Sequence, residues 1–198
     1  MKSVVIGIVL GASFAAHAQA APAAKPRAPV AKPAAPRPSV SGTLDRQLSI
    51  IEGDLVPLVE AMPADKFDFT PAGEGFKGVR SFKQQVGHVA ATLQMFASLI
   101  LGEESTLTDE DEKNGPARLK SKDDYVAFLK ESYARGHQAA LSVNEKNMLE
   151  MIAVSEHFKS TKLGFANLLT WHSFDHYGQL VVYARSNGVV PPASKGGN

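Results

Sequence analysis

From Thr43 onward, apolar residues recur at alternating spacings of four and three, so that Leu44, Leu48, Ile51, Leu55, Leu58 and Met62 share one face of a helix. Pro57 lies inside this stripe and should kink the helix near Gly53, whose carbonyl loses its usual donor. Residues Pro63 to Gly78, broken by Pro71, Gly73, Gly75 and Gly78, read as a long irregular connection. Ser81 with Gln84 three residues on has the pattern of a capping box. It opens a second helix striped by Phe82, Val86, Val89, Leu93, Phe96 and Ile100. Beside that stripe runs another seam of Gln85, His88, Thr92, Met95 and Leu99. Two adjacent seams predict a helix flanked by two neighbours, with His88 near the polar N-terminal end of the second seam.

The acidic stretch Gly102 to Lys120 reads as a loop. Ser121 and Asp124 then open a third helix carrying Tyr125, Phe128, Leu129, Tyr133 and Ala140. Asn144 to Ile152 suits a short extra helical turn, and Ser155 to Lys162 a connector. The last helix runs from about Gly164 to Ser186 and aligns Phe165, Leu168, His172, His176, Gln179 and Tyr183 before Gly188 and Pro191-Pro192 stop it. Four long amphipathic helices without strand periodicity or internal repeat predict an all-α four-helix bundle over residues 41–192, with a flexible tail at 193–198.

The N-terminus has a different character. Lys2, the apolar run Val4 to Ala15 and the sequence Ala18-Gln19-Ala20 read as an export signal over residues 1–20, cleaved after Ala20. The run is shorter than the roughly 20 residues of a membrane span, so the mature chain is expected to carry no transmembrane anchor and to be periplasmic or secreted. Residues 21–40, rich in alanine, proline and bases, read as an extended linker.

Composition narrows the chemistry. Hydrophobic residues make up 44% of the 198 positions and charged residues 21%, enough for one real core. The net charge of +1 hides an asymmetry: residues 1–40 hold five of the 21 bases and no acid, leaving 16 bases against 20 acids elsewhere. An acidic domain has no electrostatic footprint for nucleic acid. The absence of cysteine excludes disulfides, thiolate metal ligands and a cysteine nucleophile.

A metal site must therefore use histidine, carboxylate or water. His172 and His176, four residues apart, project from one helix face about a turn apart, a spacing that can grip one ion. The same spacing also occurs in ordinary surface or core histidines. Here the pair interrupts an apolar stripe, where unpaired imidazoles would cost free energy, and His88 interrupts an inner seam on another helix. Three neutral imidazoles leave coordination positions open for water or substrate, an arrangement suited to zinc, with nickel, iron or manganese as alternatives. Asp175 and Gln179 are nearby polar candidates. Asp175 is turned about 100° from His176 and suits an outer-shell or surface ion-pair role as well as an acid–base one; Gln179 could orient a water or substrate, or pair with a neighbouring helix. His137 and His157 read as solvated, Trp171 as core or groove lining, Arg185 as a cap of its helix C-terminus, and His17 leaves with the signal.

At these residues the chain resembles the DinB-like (damage-inducible protein) superfamily of bacterial four-helix metalloproteins. The resemblance is carried by Ala61-Met62-Pro63-Ala64-Asp65-Lys66-Phe67-Asp68-Phe69-Thr70-Pro71, by Val79-Arg80-Ser81-Phe82 leading to Gly87-His88-Val89-Ala90, and by Trp171-His172-Ser173-Phe174-Asp175-His176-Tyr177-Gly178-Gln179-Leu180 with Tyr183-Ala184-Arg185. It implies metal ligation by His88, His172 and His176, a long connection between the second and third helices, a possible homodimer, and Tyr177 and Arg185 as positions matching the family pattern. It also implies an unidentified small-molecule substrate. The activities it suggests are transfer or isomerisation dependent on a thiol such as bacillithiol or mycothiol. Export away from cytosolic thiol pools sets against these a hydrolase that uses metal-activated water. The contrasting class is a non-catalytic metal-binding or interaction domain.

Overall fold

The protein's structure, a computed structural model, describes residues 38–196. The export signal, all but the last residues of the linker, and positions 197–198 lie outside the described residues. Helix α1, Val40–Ala61, starts where the Ser39 side chain accepts the Gly42 amide, a few residues ahead of the expected start. It continues through Pro57 as one helix and buries Leu44, Leu48, Ile51, Leu55 and Leu58 as the spacing predicts.

The connection that follows is organised rather than slack. Two short 3-10 turns, Ala64–Lys66 and Glu74–Phe76, break it, and the carbonyls of Phe69 and Phe67 accept the amides of Phe82 and Lys83 at 2.9 Å each. Buried Phe67 packs tilted against Phe82 and edge-on to Tyr125, with ring centroids 5.3 Å and 5.8 Å away. The connection is thereby fastened to the start of α2, Phe82–Leu101, where Ser81 and Gln84 form the expected capping box.

Two elements differ from the sequence expectation. The acidic stretch read as a loop contains a six-residue helix, α3, Asp109–Asn114, capped reciprocally by Thr108 and Asp111 and packed on α2. After α4, Lys122–Ser142, the expected short turn is present, with the Met148 amide on the Asn144 carbonyl at 2.9 Å, but the segment read as a connector is instead a minimal antiparallel hairpin of β1, Met151–Ala153, and β2, Lys159–Thr161, pairing Ile152 with Ser160. Strands of three residues are too short to show a period of two, which is why the pattern did not betray them. The hairpin leads directly into α5, Lys162–Ser186, whose first turn is capped by Thr161. A final 3-10 turn, Pro192–Ser194, packs against α1.

The helices α1 and α2 each pack on both α4 and α5, giving the order α1, α4, α2, α5 around the bundle. Close approach of α4 to α1 needs Gly136, where an added Cβ would stand 3.0 Å from a Leu48 methyl. The core between the helices is apolar, with Leu48, Leu55, Phe82, Leu93, Leu129 and Phe165 at most 1% exposed. Each such side chain contributes about 1.5–3 kcal/mol of burial. At one end of the α2–α5 interface, this apolar packing gives way to histidine.

Candidate metal centre

His88 lies in the second turn of α2, while His172 and His176 lie mid-way along α5. The packing of α2 on α5 brings the three rings together, with centroids 4.9 Å apart for His88 and His172, 4.8 Å for His88 and His176, and 4.6 Å for His172 and His176. One ligand nitrogen from each falls within 4.8 Å of the others. Nε2 of His172 is 3.1 Å from Nε2 of His88.

Two hydrogen bonds fix how the rings present their nitrogens. The Glu112 backbone carbonyl accepts from Nδ1 of His88 at 2.6 Å, and the Gln85 side-chain carbonyl accepts from Nδ1 of His176 at 2.9 Å. With Nδ1 protonated, Nε2 of each ring carries the lone pair. Glu112 reaches His88 because α3 lies almost against α2. A Cβ built on Gly87 would sit 2.9 Å from Gly115 Cα, and one on Gly115 would sit 2.8 Å from Gly87 Cα. Gly115 also has φ +87°, which turns the chain away at the end of α3. A second contact holds the Glu112 side chain, whose carboxylate accepts from Thr92 at 3.3 Å and lies 3.3 Å from Nδ1 of His88.

Burial keeps the three imidazoles neutral. It pushes His172 down to about 3, helped by the charges of His176 and His88, and His176 down to about 4, helped by His88 and the Arg80 guanidinium. His88 is lowered by burial as well, against the raising effect of its bond to the Glu112 carbonyl. Neutral imidazoles whose lone pairs converge are a donor set that fits a divalent ion. No carboxylate or other histidine among the described residues joins the cluster as a fourth ligand. An open pocket of about 450 Å³ adjoins His176 and is lined by Arg80, Gln85, Lys113 and Gln179 among others.

The other candidates from sequence are dispersed. Gln179 lines the pocket, but its amide donates to the exposed Asp175 carboxylate at 3.2 Å, so the two form a surface pair and Asp175 does not enter the pocket. Tyr177 is half-buried on the α1 side, where Asp54 and Arg185 are its charged neighbours. Arg185 bonds the Ser194 hydroxyl at 3.1 Å instead of capping helical carbonyls. Trp171 is 57% exposed rather than in the core; it lines a shallow groove with Ile50 and Phe174. His157 is exposed as expected, but His137 is not solvated. It bridges Asp45 at 2.7 Å and Glu52 at 2.9 Å across the α1–α4 interface.

Three participants had no role assigned from sequence. Gln85 carried a signal, as a polar residue on the same inner seam three positions before His88. The Glu112 contribution carried none, since it is a backbone carbonyl. Arg80 stood only within a matched segment, and its place beside the histidines depends on the folding of the preceding connection.

Comparison with known proteins agrees with this architecture. A family model described as the DinB superfamily matches residues 47–180, a span that includes all three histidines. The fold is similar to that of a DinB-like protein, YjoA, from Bacillus subtilis, known from a crystal structure. The TM-score is 0.55 and the identity 19%, and the match covers 74% of this chain and 92% of that one. At that identity the likeness is one of fold. No protein with a curated description matches the chain.

Proposed function

Since the chain belongs to the DinB superfamily, we propose that His88, His172 and His176 hold one divalent metal ion, zinc in the first instance, in an exported enzyme that acts on a small molecule. The observation that carries this reading is the convergence of three neutral imidazoles beside an open pocket, without a fourth protein ligand among the described residues. A closed structural site would complete its own coordination, whereas a catalytic one keeps a position free. A bound ion would supply Lewis-acid chemistry, either to water for hydrolysis or to the sulfur of a thiol cosubstrate for transfer.

The chain's own groups have definable parts in this. Gln85 and the Glu112 carbonyl hold the Nδ1 protons of His176 and His88, so both rings keep Nε2 free for an ion. The walls of the pocket would receive the substrate next to those nitrogens. Gln179, at the pocket wall and bonded to the exposed Asp175 outside it, is placed to contact substrate rather than to move a proton at the centre. Export rests on the N-terminal signal pattern and is tested by the mass of the mature N-terminus, expected at Ala21. A homodimer covering the exposed Ile50, Trp171 and Phe174 belongs to the same reading, and light scattering of the purified chain tests it.

The test of the metal is direct. The chain purified without a histidine tag should carry close to one equivalent of metal, and His88→Ala and His172→Ala should each lose most of it. Undiminished stoichiometry in both variants would sink the proposal. Cobalt-loaded protein that develops a thiolate charge-transfer band with millimolar thiol would select the transferase chemistry, and a flat spectrum would argue against it.

A further inference from the structure

Arg80 is a cation without a carboxylate partner. Its Nε donates to the Lys113 carbonyl at 2.6 Å, and none of the described ion pairs includes it. Its own carbonyl is held at 3.2 Å by the Tyr183 hydroxyl, so the backbone is fastened to α5 and the side chain to the end of α3. Such anchoring at Nε leaves the two terminal nitrogens as a parallel pair of donors. The residue lines the pocket beside His176, and its charge reaches all three histidines.

A positive charge is a poor neighbour for a cation site unless something negative lies between them. The nearby acids do not supply it: neither Glu112, committed to His88 and Thr92, nor Asp175, committed to Gln179, lines this pocket. A second, independent observation comes from Gln85. The residue is 2% exposed and spends its side-chain carbonyl on His176, while its amide nitrogen has no acceptor among the described residues. That nitrogen is not among the buried atoms left without a partner, so it keeps contact with the pocket that Gln85 lines and is an available donor there. Lys113 adds a further cation to the wall, though its ammonium is bonded to Glu110 at 2.8 Å.

We propose that Arg80 and Gln85 form an anion subsite beside the three histidines that receives the carboxylate of a small-molecule substrate. The terminal nitrogens of Arg80 match the two oxygens of a planar carboxylate, and the Gln85 amide adds a third donor from the buried side. The substrate relation rests on the reading of the histidines as a metal centre; the anion subsite itself does not. Substrates are then small carboxylic acids, bound beside the histidine nitrogens, and neutral analogues are discriminated against.

The test is a titration of the full chain, zinc-loaded and metal-free, with acetate, acetamide and inorganic phosphate, followed by nitrogen-proton NMR of the Arg80 Nε–H and Gln85 side-chain amide. Acetate should produce saturable shifts at both groups in both forms, and acetamide none. Arg80→Met should weaken acetate binding roughly tenfold or more, the loss of a charged hydrogen-bonding partner, while keeping its zinc. Absence of saturable shifts, equal response to acetamide, or unchanged binding in Arg80→Met overturns the subsite, and tighter binding of phosphate overturns the carboxylate assignment. Loss of zinc binding as a property of the chain, with acetate binding intact in the metal-free form, would overturn the metal reading alone.

Discussion

His137 has a carboxylate at each ring nitrogen, Asp45 at Nδ1 and Glu52 at Nε2, which makes it a clasp between α4 and α1. Burial alone would lower its pKa, but the hydrogen bonds to Glu52 and Asp45 outweigh burial and raise it above the ordinary histidine value. A folded pKa above the unfolded one means stability that is fully present below about pH 6.5 and lost as pH rises through the raised value. His137→Gln should therefore be less stable than the parent at pH 5.5, by on the order of 1 kcal/mol for a half-exposed pair, with the gap closing toward pH 9. Urea midpoints of both proteins across that range measure it. The three clustered histidines titrate alike in both proteins and cancel in the difference; a gap constant with pH would refute the clasp. Gln85 supports a second prediction. Gln85→Leu removes the acceptor that fixes the His176 tautomer and should weaken metal binding by about 10–100-fold, whereas Gln85→Glu, which keeps an acceptor, should restore most of it in competition titrations with a chelator.

At the scale of elements, what was legible in the sequence divides by length. The four long helices were readable because each carries several turns of apolar stripe, and Ser81, Ser121 and Thr161 cap theirs with bonds to the third helical amide. The six residues of α3 include no buried side chain, so no stripe exists to be read. Its only local mark was the reciprocal pair Thr108 and Asp111. Yet α3 supplies the carbonyl that orients His88, and the contact depends on bare backbone at Gly87 and Gly115. Gly87→Ala should push α3 off α2, since its methyl would meet the Asn114 and Gly115 backbone. The expected cost is about 1–3 kcal/mol of stability together with weaker metal binding, seen as a lower thermal midpoint and a higher metal Kd in the same preparation. Retention of parental metal affinity would show that α3 does not position the ligand. For the pair on α5, the histidine spacing was visible in sequence. Its meeting with His88 was not, because periodicity fixes a face of a helix but not which face of which neighbour it meets.

For the whole bundle, the centre links elements distant in the chain. His88 and His172 are 84 residues apart, and α2 and α5 are held together by side-chain packing rather than by a short connection. Without an ion, the buried rings of His88 and His176 and the half-buried ring of His172 replace apolar contacts there, and neutral rings are all that such burial tolerates. An ion bound by nitrogens from both helices belongs to the folded state alone, because the unfolded chain does not bring these residues together. Binding to the folded form then adds stability that grows with the logarithm of free metal, about 2.7 kcal/mol at a hundred times Kd. The thermal midpoint of the chelator-treated chain should therefore rise steadily with added zinc, with no comparable rise for magnesium, whose preference is for oxygen ligands. In His172→Ala the zinc dependence should vanish, while the midpoint without zinc stays near that of the metal-free parent, because the alanine removes a half-buried polar ring rather than a core side chain. A zinc response that survives in His172→Ala would place the ion elsewhere and separate the histidine cluster from the stability of the fold.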